Sequence, residues 1–168
     1  KYFCLGLMSL GFDRGDKIAI LGGNDPEWYW GEISAQAAGG AAAGIFVDCL
    51  PPEIKHIVDH SDAKFVLAED QEQVDKVLKL KGELPKVEKV FYWDPKGLWN
   101  YDDTILMSFK QVQELGREYE KTHPGLFEQS IAEGKADDLA VLSYTSGTTG
   151  LPKGQYSATP MSPIAVVC

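Results

Sequence analysis

The sequence predicts an α/β fold, a mostly parallel sheet flanked by helices, and two observations carry that prediction. Short apolar runs of strand length alternate with helix-period segments about four times before residue 94, as repeated βα units do. A later apolar run, Leu139-Ala-Val-Leu142, has the composition of a buried parallel strand and leads straight into a segment rich in hydroxyls and glycine. Open α/β sheets bind their ligands at that end of a strand.

Taken in order, residues 2 to 10 read as an apolar helix closed by Gly11 as its C-terminal cap. Lys17-Ile-Ala-Ile-Leu21 is a first strand. Asp25 then caps, and Pro26 opens, a helix running to about Ala38. Trp28, Tyr29, Trp30 and Ile33 give that helix a broad apolar face, read as core or subdomain contact rather than a base-stacking platform. The small residues of GGAAAGIFV, 39 to 47, lead into a second strand that packs closely on the helix. Pro51-Pro52 starts a helix with Ile54, Ile57 and Val58 on one face. His56 and His60 lie i, i+4 on it, a zinc-compatible spacing, but no Glu follows His56 and no third ligand is evident. They are read as a solvated helix face, and no metal is assigned.

Lys64 to Ala68 forms a third strand, Gln71 to Leu80 a helix with Val74, Val77 and Leu78 inward, and Val87 to Trp93 a fourth strand. Residues 94 to 104, DPKGLWNYDDT, break the pattern and are read as a surface loop with no catalytic role. Ser108 and Gln111 form a capping-box pair that opens a helix to about Glu120. A short helix is expected within 122 to 134, followed by a polar linker, Lys135-Ala-Asp-Asp138.

Composition narrows the function. The chain has 168 residues, 44% hydrophobic and 24% charged, enough for one compact domain. Its 16 basic against 25 acidic residues, net −9, argue against a nucleic-acid-coating surface and against strong attraction to anionic lipid. Cys4, Cys49 and Cys168 are odd in number and form no CxxC pair, which favours a reducing, cytoplasmic setting. No apolar run approaches membrane-spanning length.

The chemistry concentrates in YTSGTTGLPKG, Tyr144 to Gly154. Gly147 and Gly150 permit close backbone approach, and Thr145, Ser146, Thr148 and Thr149 add hydroxyl donors beside exposed N–H groups, a combination suited to phosphate oxygens. Lys153 supplies a compact positive charge, and Pro152 stiffens the exit. The segment contains no acid, which matters in so acidic a chain. It is not a P-loop: the fifth residue after Gly147 is Pro152 rather than glycine, and Gly154 follows Lys153 where a hydroxyl residue is required. A plain glycine-rich surface turn is the alternative, disfavoured by the ordered hydroxyls, glycines and Pro-Lys-Gly.

YTSGTTGLPKG resembles the phosphate-binding signature of the acyl-adenylate-forming, AMP-binding enzymes. Further upstream, DRGDKIAILGGNDPEWYW at Asp13 to Trp30 and HSDAKFVLAED at His60 to Asp70 are similar to long-chain fatty acyl-CoA synthetases. The resemblance implies an incomplete N-terminal portion of the adenylate-forming fold: residues 1–154 a partial AMP-binding domain, and 155–168 a tail that departs from the family. In place of the family's short strand and Ser/Thr-His pair, the chain has QYSATPMSPIAVVC, expected to be a frameshifted or misassembled tail on a truncated fragment. Lys1 in place of Met is read as sequence missing upstream.

The implied parent is an ATP-dependent long-chain fatty acid–CoA ligase acting through acyl-AMP, with ATP, Mg2+ and CoA as cofactor and co-substrates. By the resemblance, Thr145, Ser146, Gly147, Thr148, Thr149, Gly150 and Lys153 hold the phosphates, and no catalytic residue falls within the chain. Alternatives are a ligase for a different carboxylic acid, a non-catalytic remnant with weak nucleotide binding, and an interaction module using the aromatics near Trp28 and Trp99. Peripheral membrane association of the parent and its oligomeric state are left open.

Overall fold

A computed structural model describes residues 1–145 and 153–158, with backbone alone for Thr145, Lys153 and residues 155–158. Its elements are α1 Tyr2–Ser9, β1 Lys17–Leu21, α2 Pro26–Ala37, β2 Ala41–Ile45, α3 Pro51–Ser61, β3 Ala63–Ala68 and α4 Gln71–Lys79. A short 3-10 turn follows at Lys81–Glu83, then β4 Lys89–Tyr92, β5 Leu106–Ser108, α5 Phe109–Thr122, α6 Leu126–Ala132, β6 Leu139–Thr145 and β7 Lys153–Ala158. Among the described residues, seven strands form one sheet in the order β5-β4-β3-β1-β2-β6-β7. Neighbours from β5 to β6 are parallel, and β7 alone runs antiparallel, against β6.

The period-2 alternation of the strands sorts their side chains onto two helical layers. Ile18, Ile20, Ala42, Phe65, Leu67 and Phe91 face α1, α2 and α5, where they meet Phe3, Leu7, Ala35, Phe109 and Val112. Ala19, Leu21, Ala43, Val66 and Val90 face α3 and α4, against Ile54, Ile57, Val58 and Val77. Both faces are covered, as a parallel sheet requires.

Element ends follow local chemistry. After α1, Gly11 takes φ 89° while its N–H donates to Met8 O and that of Phe12 to Leu7 O, each at 3.0 Å. This is the paired Schellman closure that glycine makes possible. At α5 the reciprocal box forms as expected: Gln111 N–H donates to Ser108 Oγ at 3.2 Å, and Ser108 N–H to Gln111 Oε1 at 2.7 Å. Ser108→Ala is expected to cost about 1 kcal/mol, read as a Tm lower by about 2–4 °C with unchanged cooperativity.

Several expectations are corrected. Asp25 occupies the N-cap of α2 without capping through its side chain; its Oδ2 instead accepts from Trp93 Nε1 at 3.3 Å. The buried face of α2 is the small-residue one, Gly31, Ser34, Ala35 and Ala37, while Tyr29, Trp30 and Ile33 are half-exposed. Close helix-to-sheet approach selects against bulk: a Cβ on Gly31 would collide with Leu67. β5 is an additional strand, too short at Leu106–Ser108 to show a period of its own.

The preceding loop is partly anchored: Leu98 is buried with Ala68 and Val74, and Tyr101 donates to Asp75 Oδ1 at 2.7 Å. Trp99 stays exposed. Cys4 is buried, which pushes its thiol up to about 12 and leaves it a packing group rather than a nucleophile. No helix among the described residues is long and apolar enough to cross a membrane.

Candidate nucleotide site

The parallel strands place the carboxyl ends of β1, β2 and β6 side by side, with Ala42 opposite Val141 and Ala43 opposite Leu142. A cleft of about 270 Å³ opens there, lined by Gly22 and Asn24 after β1, Gly44 to Phe46 at the end of β2, Val141 to Tyr144 on β6, and Trp28 from α2. Its floor is apolar and its polar groups are few. That is the usual make-up of a small-molecule site.

Glycine shapes the cleft. Trp28 lies over Gly44 so closely that a Cβ there would stand 3.2 Å from Cζ2 of the indole. The loop after β1 is held by Glu69, just beyond β3, whose Oε2 accepts from Gly23 N–H at 2.7 Å. A Cβ on Gly22 would run into the Trp93 ring.

Of the residues singled out for phosphate contact, Thr145 ends β6 and Lys153 begins β7, directly paired across the antiparallel ladder. Ser146, Gly147, Thr148, Thr149 and Gly150 lie outside the described residues. The ladder therefore fixes both roots of the motif. Tyr144 pairs with Gly154 one step further in. Tyr144, Ser143 and Leu142 line the cleft as well, so the motif leaves the sheet at its rim.

The two histidines stay on the solvated side of α3 as expected, His60 exposed and His56 half-buried, and His60 also has a partner on the sheet. His60 Nδ1 and the Tyr144 hydroxyl share a hydrogen bond of 3.0 Å, linking α3 to β6, and the His56 and His60 rings are 5.7 Å apart. Trp28, Glu69 and His60 were not assigned to the site from sequence. The glycines opposite Trp28 and beside His60 are the only sequence signal for their closeness, and a glycine does not name its neighbour.

A family model described as "AMP-binding enzyme" matches residues 2–157. The chain belongs to the AMP-binding enzyme family. Among curated relatives, the rat long-chain-fatty-acid–CoA ligase ACSBG1 is 32% identical over 152 residues, covering 89% of this chain and 20% of the relative. Human ACSBG2 is 33% identical over 149 residues, covering 88% and 22%. The AMP-binding chain thus spans about a fifth of the length of these relatives.

Solved structures agree on the fold. The anthranilate CoA ligase AuaEII in complex with anthranoyl-AMP superposes with TM-score 0.76 at 24% identity, over 94% of this chain and 27% of that one. A luciferase-like enzyme from Zophobas morio gives 0.70 at 19% identity, over 94% and 33%. The family match extends to residue 157 and β7 to Ala158, past the boundary at Gly154 that was expected from sequence.

Proposed function

We propose that the chain supplies the triphosphate-binding corner of a ligase that activates a long-chain fatty acid as acyl-AMP and passes the acyl group to CoA. In the first step a carboxylate oxygen attacks the α-phosphorus of ATP and pyrophosphate leaves. In the second the CoA thiol attacks the acyl carbon and AMP leaves. The protein's work in the first step is positioning and charge stabilisation rather than covalent chemistry. Thr145, Ser146, Gly147, Thr148, Thr149 and Gly150 hold the β- and γ-phosphates, and Lys153 steadies the departing pyrophosphate.

The observation that carries this reading is that both roots of the motif, Thr145 and Lys153, are paired strand residues at the carboxyl edge of a parallel sheet, beside an apolar cleft. The fatty acid as substrate rests on the names of the curated relatives. Magnesium would neutralise the phosphates. The motif contains no carboxylate, so no residue here is assigned to the metal. Residues 1–154 are read as part of an N-terminal AMP-binding domain and 155–168 as a departure in side chains. β7, Lys153–Ala158, runs across that boundary, as a ladder made by backbone groups can whatever the side chains.

Calorimetric titration of the 168-residue chain with MgATP is the test. Weak binding is expected, competed by inorganic tripolyphosphate and not by adenosine, and weakened about tenfold by Lys153→Ala, the scale of one charge-assisted contact. With ATP and a long-chain fatty acid, no pyrophosphate release above that variant is expected. Binding that adenosine reproduces, or that Lys153→Ala leaves untouched, overturns the phosphate reading.

A further inference from the structure

We infer that His60 and Tyr144 form a latch that fixes the root of the motif to α3, making His60 a positioning residue for the nucleotide site. The inference rests on the proposed phosphate-binding role of the motif and adds a group that lies 84 residues from Tyr144 in sequence. Tyr144 stands on β6 one position before Thr145, where the strand ends. It is buried to 7% exposure, and its hydroxyl is 3.0 Å from His60 Nδ1. The two rings meet edge to face, centroids 5.8 Å apart at 86°.

Gly154, paired with Tyr144 across the ladder, closes the arrangement from the β7 side. A Cβ there would stand 3.2 Å from Tyr144 Cε1 and 3.3 Å from His60 Cε1, so the backbone of β7 lies directly on both rings. The glycine ending Pro-Lys-Gly thus has a packing role: it lets β7 settle on the latch, and Lys153 is the next residue toward the motif.

The physical consequence concerns preorganisation. β7 is the last strand of the sheet, with β6 as its one strand neighbour among the described residues. An edge pairing of this kind opens more readily than a central one. A hydrogen bond from α3 to β6, reinforced by ring packing under Gly154, ties that edge to a helix that is itself seated by Ile54, Ile57 and Val58. Thr145 and Lys153, paired across the ladder, are then held in register before nucleotide arrives, and less binding energy is spent on positioning them.

The test is amide hydrogen exchange on the full chain, paired with MgATP titration of the same variants. Tyr144→Phe keeps the ring and removes the hydroxyl, and His60→Leu removes the imidazole. Each is expected to speed exchange of the β6–β7 ladder amides about threefold to tenfold, the scale of one hydrogen bond, while the β1–β3 ladder is unchanged. The double variant should exceed neither single by much, because both remove one interaction. His60→Asn, whose side-chain amide can stand near the position of Nδ1, should restore slow exchange.

MgATP affinity should fall in parallel with the rise in exchange. Uniform acceleration in every ladder, additive effects in the double variant, or no rescue by His60→Asn overturns the latch. If Lys153→Ala weakens MgATP and the latch variants do not, the phosphate reading stands and the positioning role falls. If the unaltered chain binds no MgATP, the phosphate reading fails, and exchange still decides whether the latch exists.

Discussion

Phe65→Ala is expected to lower stability by about 3–5 kcal/mol, a large share of the total available to a domain of this size. Phe65 is fully buried on β3, with its ring 5.3 Å from Phe91 in an edge-on contact and 5.6 Å from Phe12. Deleting it removes both ring contacts and leaves a void that the neighbours are poorly able to fill. β3 is hydrogen-bonded on both sides, to β1 and β4, so its backbone cannot sink into the space. Thermal unfolding followed by circular dichroism should show Tm falling by roughly 6–20 °C. Phe65→Leu, which keeps most of the volume, should cost less than half as much. A fall of under about 1 kcal/mol for the alanine variant would mean that this face is loosely packed.

That core was readable from the sequence because its signal is local and periodic. Lys17–Leu21 is found at the bounds expected for it, and the Ser108 and Gln111 capping pair forms as the spacing required. The inward faces of α3 and α4 follow the same logic, since Ile54, Ile57, Val58, Val74 and Val77 recur at helical intervals and are buried. Misreadings occurred where tertiary demands override local ones. The aromatics of α2 suggested its packing face; Trp28 does pack partly buried on the core, but the fully buried face is Gly31, Ser34, Ala35 and Ala37, and Tyr29 and Trp30 stay half-exposed. Asp25 looked like a cap, and a tryptophan 68 residues away claims its carboxylate.

The site divides in the same manner. Its place at the end of β6 was legible because an apolar run ending in hydroxyls and glycines is a local pattern. The contribution of His60 was not, because nothing in the spacing of α3 points to Tyr144. Long-range pairs between polar side chains carry no periodicity, and only the folded register brings them together.

The region where α1 crosses α5 gives the second large effect: Gly116→Leu is expected to destabilise by about 3 kcal/mol or more. At an ordinary helical site, replacing glycine gains up to about 1 kcal/mol of helix propensity. Here the gain is outweighed. A Cβ on Gly116 would overlap the carbonyl of Tyr2 and crowd the amide of Gly6, and a Cβ on Gly6 would overlap the carbonyl of Val112. These are backbone atoms of two helices, which cannot turn aside as a side chain can, so α1 has to move off α5 as a body. The stacked rings of Phe3 and Phe109, 3.9 Å apart, would separate with it. Gly82→Ala serves as the control, since its Cβ would meet nothing within 4 Å, and its effect should stay within about 0.5 kcal/mol. Gly6→Ala should be destabilising alone but add little to Gly116→Leu, because the displaced helix has already left the contact. Full additivity in denaturant titrations would show that the two glycines relieve separate crowding rather than one close crossing.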